Sequence, residues 1–144
     1  MRRSLAALAL STLASLAAPI LGRAESAAQS ISGTELAAKL ASGTAPVLLD
    51  VRSEAEYRAG HIAGALHVPH DAVATRADEI PAARNAPVVV TCERGPRAVA
   101  AKAALEAAGF EQVLLLEGHM AGWRAAELPL EVPWHGGTRG KELP

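Results

Sequence analysis

The 144-residue sequence lacks a second cysteine, which excludes an internal disulfide bond. Its single thiol, Cys92, directly follows the apolar run of residues 88–91 and precedes a Gly-Pro break, an arginine and an alanine-rich stretch. A cysteine without a partner is either a small buried side chain or a reactive group. The residues around Cys92 must decide between these two interpretations.

An excess of basic charge is also missing, with or without the N-terminal segment. The chain opens with two arginines, an uncharged apolar run over residues 4–22 and a candidate cleavage site at residues 22–24, a pattern typical of a secretory signal peptide. A retained membrane anchor is the alternative, which the many alanines and Pro19 disfavour. Removal of residues 1–24 leaves eleven basic and fifteen acidic side chains, a formal charge of −4. We therefore expect a periplasmic or secreted protein that binds neither membranes after cleavage nor nucleic acid.

The sequence also lacks a compact set of metal ligands. His67, His70, His119 and His135 accompany Cys92, but no pair of them has ligand spacing on a predicted helix or hairpin. We therefore expect no metal site.

Short apolar strands alternate with helices in the remaining residues, whose number suits one domain. Strands are predicted over residues 46–51, 65–68, 88–91 and 112–116. Helices are predicted over residues 33–43, 71–80, 97–108 and 120–127, with a helical turn at residues 53–60 and with Ser32 and Asp71 as caps. Strands without a polar stripe are buried on both faces, so the pattern predicts an α/β fold with a small parallel sheet and helices on both faces. We expect this domain to span residues 25–132, followed by a flexible C-terminal tail at residues 133–144.

Cys92 begins the loop between the third predicted strand and the helix that follows it. Ligands of parallel sheets bind at the carboxyl ends of the strands, and Asp50 ends a neighbouring strand. The positive end of a helix and a run of backbone N–H groups stabilise a thiolate, and Gly95 permits a tight turn. The sequence therefore predicts a nucleophile at Cys92, within an anion-binding loop of residues 92–97 that we call the Cys92 loop.

Three stretches in order carry a resemblance to a known family. The loop sequence CERGPR is similar to the active-site loop of the rhodanese family, a cysteine followed by four residues and an arginine. LLDVRSEAEYRAGHIAGALHVP, residues 48–69, resembles the N-terminal signature of that family, and EGHMAGW, residues 117–123, resembles the C-terminal one. The match covers roughly residues 31–131. On these motifs the chain is identified as a member of the single-domain rhodanese-like (sulfurtransferase) family.

The resemblance implies sulfur transfer without a metal or an organic cofactor. A donor of the thiosulfate or polysulfide type gives its outer sulfur to Cys92, and the persulfide passes that sulfur to a thiophilic acceptor. The implied partners are small sulfur-containing anions, thiol acceptors or an acceptor protein, and we expect a monomer. The implied substrate-binding residues are Glu93, Arg94, Gly95, Pro96 and Arg97, and the implied loop-supporting residues are Asp50 and Arg52. Arg97 either contacts the substrate or forms an ion pair that holds the loop, with Asp50 as the candidate partner.

Two other functions stay open at this point. One is a non-catalytic module that binds a partner protein. The other is a phosphatase-like or arsenate-reductase-like enzyme, which is disfavoured because such relatives place one more residue between cysteine and arginine, where this chain has Ala98.

Three residues depart from the expected pattern. Glu93 puts a carboxylate beside the thiol, where it repels a thiolate and an incoming dianion, although Arg94 offers a compensating charge. Pro96 removes one N–H group from the Cys92 loop, and His119 occupies the position of a glycine in many relatives.

Overall fold

The computed structural model describes residues 30–133. The predicted signal peptide and nearly all of the predicted tail lie outside the described residues. The strands are β1 (Ser30–Ile31), β2 (Val47–Asp50), β3 (Leu66–His67), β4 (Pro87–Thr91) and β5 (Gln112–Leu116). The helices are α1 (Gly33–Ala41), α2 (Glu54–Arg58), α3 (Val73–Arg76), α4 (Pro96–Ala107) and α5 (His119–Ala125). Within residues 30–133, no helix is long and apolar enough to cross a membrane.

The five strands form one parallel sheet in the order β1-β5-β4-β2-β3, which confirms the predicted α/β architecture. Successive residues of a strand point to opposite faces. Leu49 and Val90 therefore pack into one core cluster, while Leu48 and Val89 pack into the other. Burial on both faces explains the uninterrupted apolar runs at residues 47–49 of β2 and 88–90 of β4.

Helices cover both faces of the sheet, as predicted. On one face, α3 and α4 bury Val73, Ala101 and Leu105 against the strands. On the other face, α1 buries Leu36 and α5 buries Trp123. Each core is therefore built from one strand face and two helices.

Two helix starts agree with the predicted chemistry. Ser32 caps α1, and its Oγ accepts a hydrogen bond from the N–H of Glu35 at 3.2 Å. Helix α4 begins at Pro96, one residue before the predicted start, because proline has the φ of a first helical turn and lacks an N–H that would stay unpaired there.

The prediction for residues 71–80 was wrong in its cap and its length. Ala72, not Asp71, is the N-cap residue of α3, and no side chain caps that helix. The N–H of Ala72 already bonds to the carbonyl of Pro69 at 2.8 Å, so a turn occupies the residues before the helix. Helix α3 gives way to a 3₁₀ turn at Ala77–Glu79, ahead of Pro81, which disfavours helical geometry in the preceding residue.

The register of the sheet places two predicted site segments at one edge. Asp50 at the end of β2 is paired with Thr91 at the end of β4, and the N–H of Val51 bonds to the carbonyl of Thr91 at 2.9 Å. The residues after β2 and the Cys92 loop therefore leave the sheet side by side.

Candidate active site

Cys92 directly follows β4, and its side chain is buried, with 1% of the residue exposed. Its Sγ accepts a hydrogen bond from the N–H of Gly95 at 3.0 Å. Gly95 has a φ of +127°, a conformation that glycine adopts and other residues avoid. The loop therefore turns back so that a backbone donor points at the sulfur, although the nucleophilic role of Cys92 stays a prediction.

Helix α5 holds the Cys92 loop through the loop's carbonyl groups. The N–H groups of Met120 and Ala121 donate to the carbonyls of Cys92 and Glu93, at 3.0 and 3.1 Å. The chain enters α5 through Gly118, at a φ of +67°, and a Cβ there would lie only 3.0 Å from the Cα of Gly122. These two glycines allow the tight turn that begins α5, whose amides engage the carbonyls of the first two loop residues.

The two residues predicted to support the loop form a buried ion pair with each other. Arg52 Nη2 lies 2.6 Å from Asp50 Oδ2, and Arg52 Nε lies 3.0 Å from Asp50 Oδ1. Arg52 Nη2 also donates to the carbonyl of Gly60 at 2.8 Å. A buried charge costs free energy unless it is paired and hydrogen-bonded, and both groups meet that condition here.

Glu93 connects this pair to helix α5. Its Oε2 lies 3.6 Å from Arg52 Nη1, and its Oε1 pairs with Arg124. Arg94, the neighbour expected to compensate Glu93, is exposed to solvent. The carboxylate next to Cys92 is therefore offset by two guanidinium groups that are distant in sequence.

Arg97 forms a bidentate ion pair with Glu56, so the expectation that Asp50 is its partner was wrong. Arg97 Nη1 and Nη2 lie 2.7 and 2.8 Å from the two carboxylate oxygens of Glu56. Asp50 is already occupied by Arg52. Ser53 and Glu56 form a capping box at the start of α2, which fixes the carboxylate opposite Arg97. A contact of Arg97 with substrate stays a prediction.

The ion pair with Arg97 changes the titration of Glu56. The hydrogen bond from the Arg97 guanidinium holds the pKa of the Glu56 carboxyl well below its usual range, and the Ser53 backbone acts in the same direction against the effect of burial. The same hydrogen bond raises the pKa of Arg97. Both groups therefore keep their charges over the physiological pH range.

His119 contacts the Cys92 loop, which the sequence did not predict. Its Nε2 lies 3.2 Å from the point that a Cβ on Gly95 would occupy. Its Nδ1 is enclosed and has no hydrogen-bond partner among the described residues. Burial lowers the pKa of the imidazole, which favours the neutral form. The residue has a φ of +50°, in the left-handed region that costs about 1–2 kcal/mol, and an unsatisfied buried polar group costs about 1–3 kcal/mol more.

A cavity of about 280 Å³ lies beside the loop, lined in part by Arg52, Ser53, His70 and Arg97. A cavity of about 330 Å³ lies where the strands begin, near Pro46 and Pro87, at the opposite edge of the sheet from Cys92. Across residues 30–133, no three side chains of His, Cys, Asp or Glu come together as a set that could hold a metal ion.

We predict that the replacement Glu56→Gln removes an acid-sensitive contribution to stability. The carboxyl has a lower pKa in the folded chain than its ordinary value of 4.5, so its contribution is complete above pH 4.5 and is lost as the pH falls further. The melting temperature of the variant should lie below that of the unmodified protein at neutral pH, and the two values should converge in acid. Thermal unfolding from pH 7 to pH 2 measures this difference.

Glu79→Gln is the matched control for Glu56→Gln, because Glu79 pairs with Arg76 on the exposed surface. We expect a smaller change in melting temperature, which salt abolishes. Parallel curves for Glu56→Gln and the unmodified protein down to pH 2 would contradict the prediction.

Comparison with known proteins identifies relatives along most of the described chain. The chain is 35% identical over 103 residues to a sulfurtransferase of Allochromatium vinosum, and the match covers 72% of this chain and 94% of that protein. It is 40% identical over 87 residues to the thiosulfate sulfurtransferase GlpE of Pseudomonas fluorescens, and the match covers 60% of this chain and 76% of that protein. An uncharacterized protein of Escherichia coli, YibN, is 35% identical over 85 residues, and the match spans 58% of this chain and 59% of YibN.

A solved structure and a family profile agree with these relatives. The crystal structure of the Alr3790 protein from Anabaena matches with a TM-score of 0.64 and 30% identity, over 70% of this chain and 90% of that chain. The profile of the Rhodanese-like domain matches residues 32–126, which include β2, the Cys92 loop and α5. The chain therefore belongs to the rhodanese-like domain family.

Proposed function

We propose that this protein is a sulfurtransferase in which Cys92 is both the nucleophile and the carrier of the transferred sulfur. The hydrogen bond from the N–H of Gly95 to Sγ carries the proposal, because the same donor can stabilise negative charge on the thiolate. Relatives named as sulfurtransferases, at 35% and 40% identity, support it.

The proposed reaction has two displacement steps. In the first, the Cys92 thiolate attacks the outer sulfur of thiosulfate. A bond forms between Sγ and that sulfur, the sulfur–sulfur bond of thiosulfate breaks, and sulfite leaves with the electron pair. In the second, an acceptor thiolate attacks the outer sulfur of the Cys92 persulfide, forms a new persulfide and releases the Cys92 thiolate. Charge and atoms balance in both steps, so neither step requires an oxidant or a reductant.

The cavity beside the loop is the proposed approach for donor and acceptor. It presents Arg97, partly exposed, and His70 beside the carboxylates of Glu54 and Asp71, while Arg52 contributes to its buried wall. The positive charge of Arg97 is shared with Glu56. The partly exposed guanidinium of Arg97 is the group proposed to meet small sulfur-containing anions, and the thiol of an acceptor, including one on a partner protein, is the second proposed occupant. We propose that the chain acts as a monomer, because the residues assigned to both steps come from one chain.

A partner-binding module without turnover is the alternative that one observation favours. Cys92 is 1% exposed, so a bound partner could recognise the loop without reaching the sulfur. Phosphoryl or arsenate chemistry is less consistent with the loop, because Ala98, at the position where such relatives carry the arginine, is fully buried in the core.

We predict that Cys92 becomes persulfidated when the protein is incubated with thiosulfate or an inorganic polysulfide. Mass spectrometry of the intact chain and of its peptides should show the mass of one added sulfur atom at Cys92, and a thiol acceptor should remove it. Cys92→Ser keeps the size of the side chain and should show no adduct. An unmodified Cys92 after exposure to both donors would refute the enzyme and favour the binding module.

We also predict that Glu93→Gln changes the preference between donors. Removal of this carboxylate leaves the charges of Arg52 and Arg124 without their common partner, so the loop should attract anions more strongly. The rate with thiosulfate, a dianion, should rise several-fold relative to the rate with a monoanionic alkanethiosulfonate at low salt, and this gain should shrink at high salt.

Glu106→Gln is the matched control for Glu93→Gln, because it removes a carboxylate from an ion pair with Lys102. It should leave the donor ratio unchanged. Equal donor ratios for Glu93→Gln and the unmodified protein would contradict the assigned role of Glu93.

We further propose that the protein is exported to the periplasm or secreted, on the pattern of residues 1–24. N-terminal sequencing of the mature protein should begin at or near Glu25, and fractionation should recover the protein with soluble exported material. A chain that retains residues 1–24 in the membrane fraction would contradict export, without affecting the proposed chemistry.

A further inference from the structure

We propose that His119 is a substrate-binding residue whose Nε2–H donates a hydrogen bond to the anion held in the Cys92 loop, in place of the backbone N–H that Pro96 lacks. This inference rests on the proposed function, since the anion is the donor or the persulfide at Cys92. It assigns a role to a residue that the predicted site did not include.

The enclosure of one ring nitrogen indicates where the imidazole carries its proton. A neutral imidazole has one N–H donor and one acceptor nitrogen. Nδ1 is enclosed without a partner, so a proton there would leave a buried donor unpaired. Of the two ring nitrogens only Nδ1 is both buried and unpartnered, so a proton on Nε2 leaves only a lone pair at that position. The Nε2–H tautomer is therefore favoured.

The favoured tautomer places its donor nitrogen beside the Cys92 loop. Nε2 lies 3.2 Å from the Cβ position of Gly95, and the N–H of Gly95 is the group that donates to Sγ. The next residue, Pro96, has no N–H. The imidazole therefore adds a donor beside Gly95, the neighbour of the one loop residue that has no backbone N–H.

The backbone of His119 supports a functional reason for this side chain. Its φ of +50° lies in the region where glycine is relaxed and other residues are strained. Strain that persists at a site is consistent with a function that requires the strained residue. Glu127, at the other end of α5, has a φ of +54° and is exposed, so it offers the same strain away from the loop.

The test measures alkylation of Cys92 by iodoacetate, an anion, relative to iodoacetamide, which is neutral. In His119→Gln the side-chain amide reaches the place of Nε2, whereas in His119→Asn it reaches only the place of Nδ1. We expect the iodoacetate-to-iodoacetamide ratio to stay within about twofold in His119→Gln and to fall about tenfold in His119→Asn and His119→Gly, the size of one lost charged hydrogen bond.

Glu127→Gly is the control for relief of backbone strain. We expect it to raise the melting temperature, as we also expect of His119→Gly, while leaving the alkylation ratio unchanged. If His119 only packs against Gly95, the Gln and Asn variants should have equal ratios. Equal ratios in these two variants, or an unchanged ratio in His119→Gly, would overturn the proposal.

A second experiment tests the link to Pro96. Pro96→Ala restores an N–H to the loop, so it should raise the alkylation ratio more in the His119→Asn background than in the unmodified protein. If Pro96→Ala changes the alkylation ratio equally in both backgrounds, the side chain of His119 does not replace the N–H that Pro96 lacks, and the proposal is overturned. The readout does not depend on sulfur transfer. If the chain takes up no sulfur but shows the expected alkylation ratios, the proposed function is wrong and the anion-binding role of His119 still stands.

Discussion

The ion pair of Asp50 and Arg52 is the contact on which the site depends. Both side chains are almost completely buried, where an unpaired charge would cost several kcal/mol. Arg52 binds Asp50, the carbonyl of Gly60 and, at longer range, Glu93, so one guanidinium joins β2, the segment after α2 and the Cys92 loop. One buried charge therefore connects the loop, through Glu93, to the end of β2.

The parts of the fold that follow from local chemistry could be predicted from the sequence. Three of the four predicted strands contain an unbroken apolar run, at residues 47–49, 88–90 and 113–116, because both of their faces are buried, and this property is visible residue by residue. Strand β1 was missed because two residues, Ser30 and Ile31, are too few to form a pattern. The cap of α3 was missed because a backbone hydrogen bond to Pro69, not a side chain, precedes that helix.

The site was predictable in its position but not in its ion pairs. A cysteine between an apolar strand and a helix indicates the Cys92 loop, because strand ends in a parallel sheet face one edge. An ion pair between residues that are distant in the chain depends on which arginine reaches which carboxylate after folding, and the local sequence does not show this. The capping pattern of Ser53 and Glu56 was a usable signal for the partner of Arg97. No sequence signal joins Glu93 to Arg124, or His119 to Gly95, because both contacts arise only when α5 packs against the loop.

The burial of Cys92 has a consequence for chains that are not yet folded. An unfolded molecule exposes its one thiol and has no second cysteine in the same chain to react with. Oxidation of such molecules can join two of them covalently, but it cannot extend the product further, because each chain has then used its only thiol. Folding encloses the sulfur against the N–H of Gly95 and removes it from this side reaction. The loop that bonds to the sulfur through the N–H of Gly95 thus also protects it from random cross-linking.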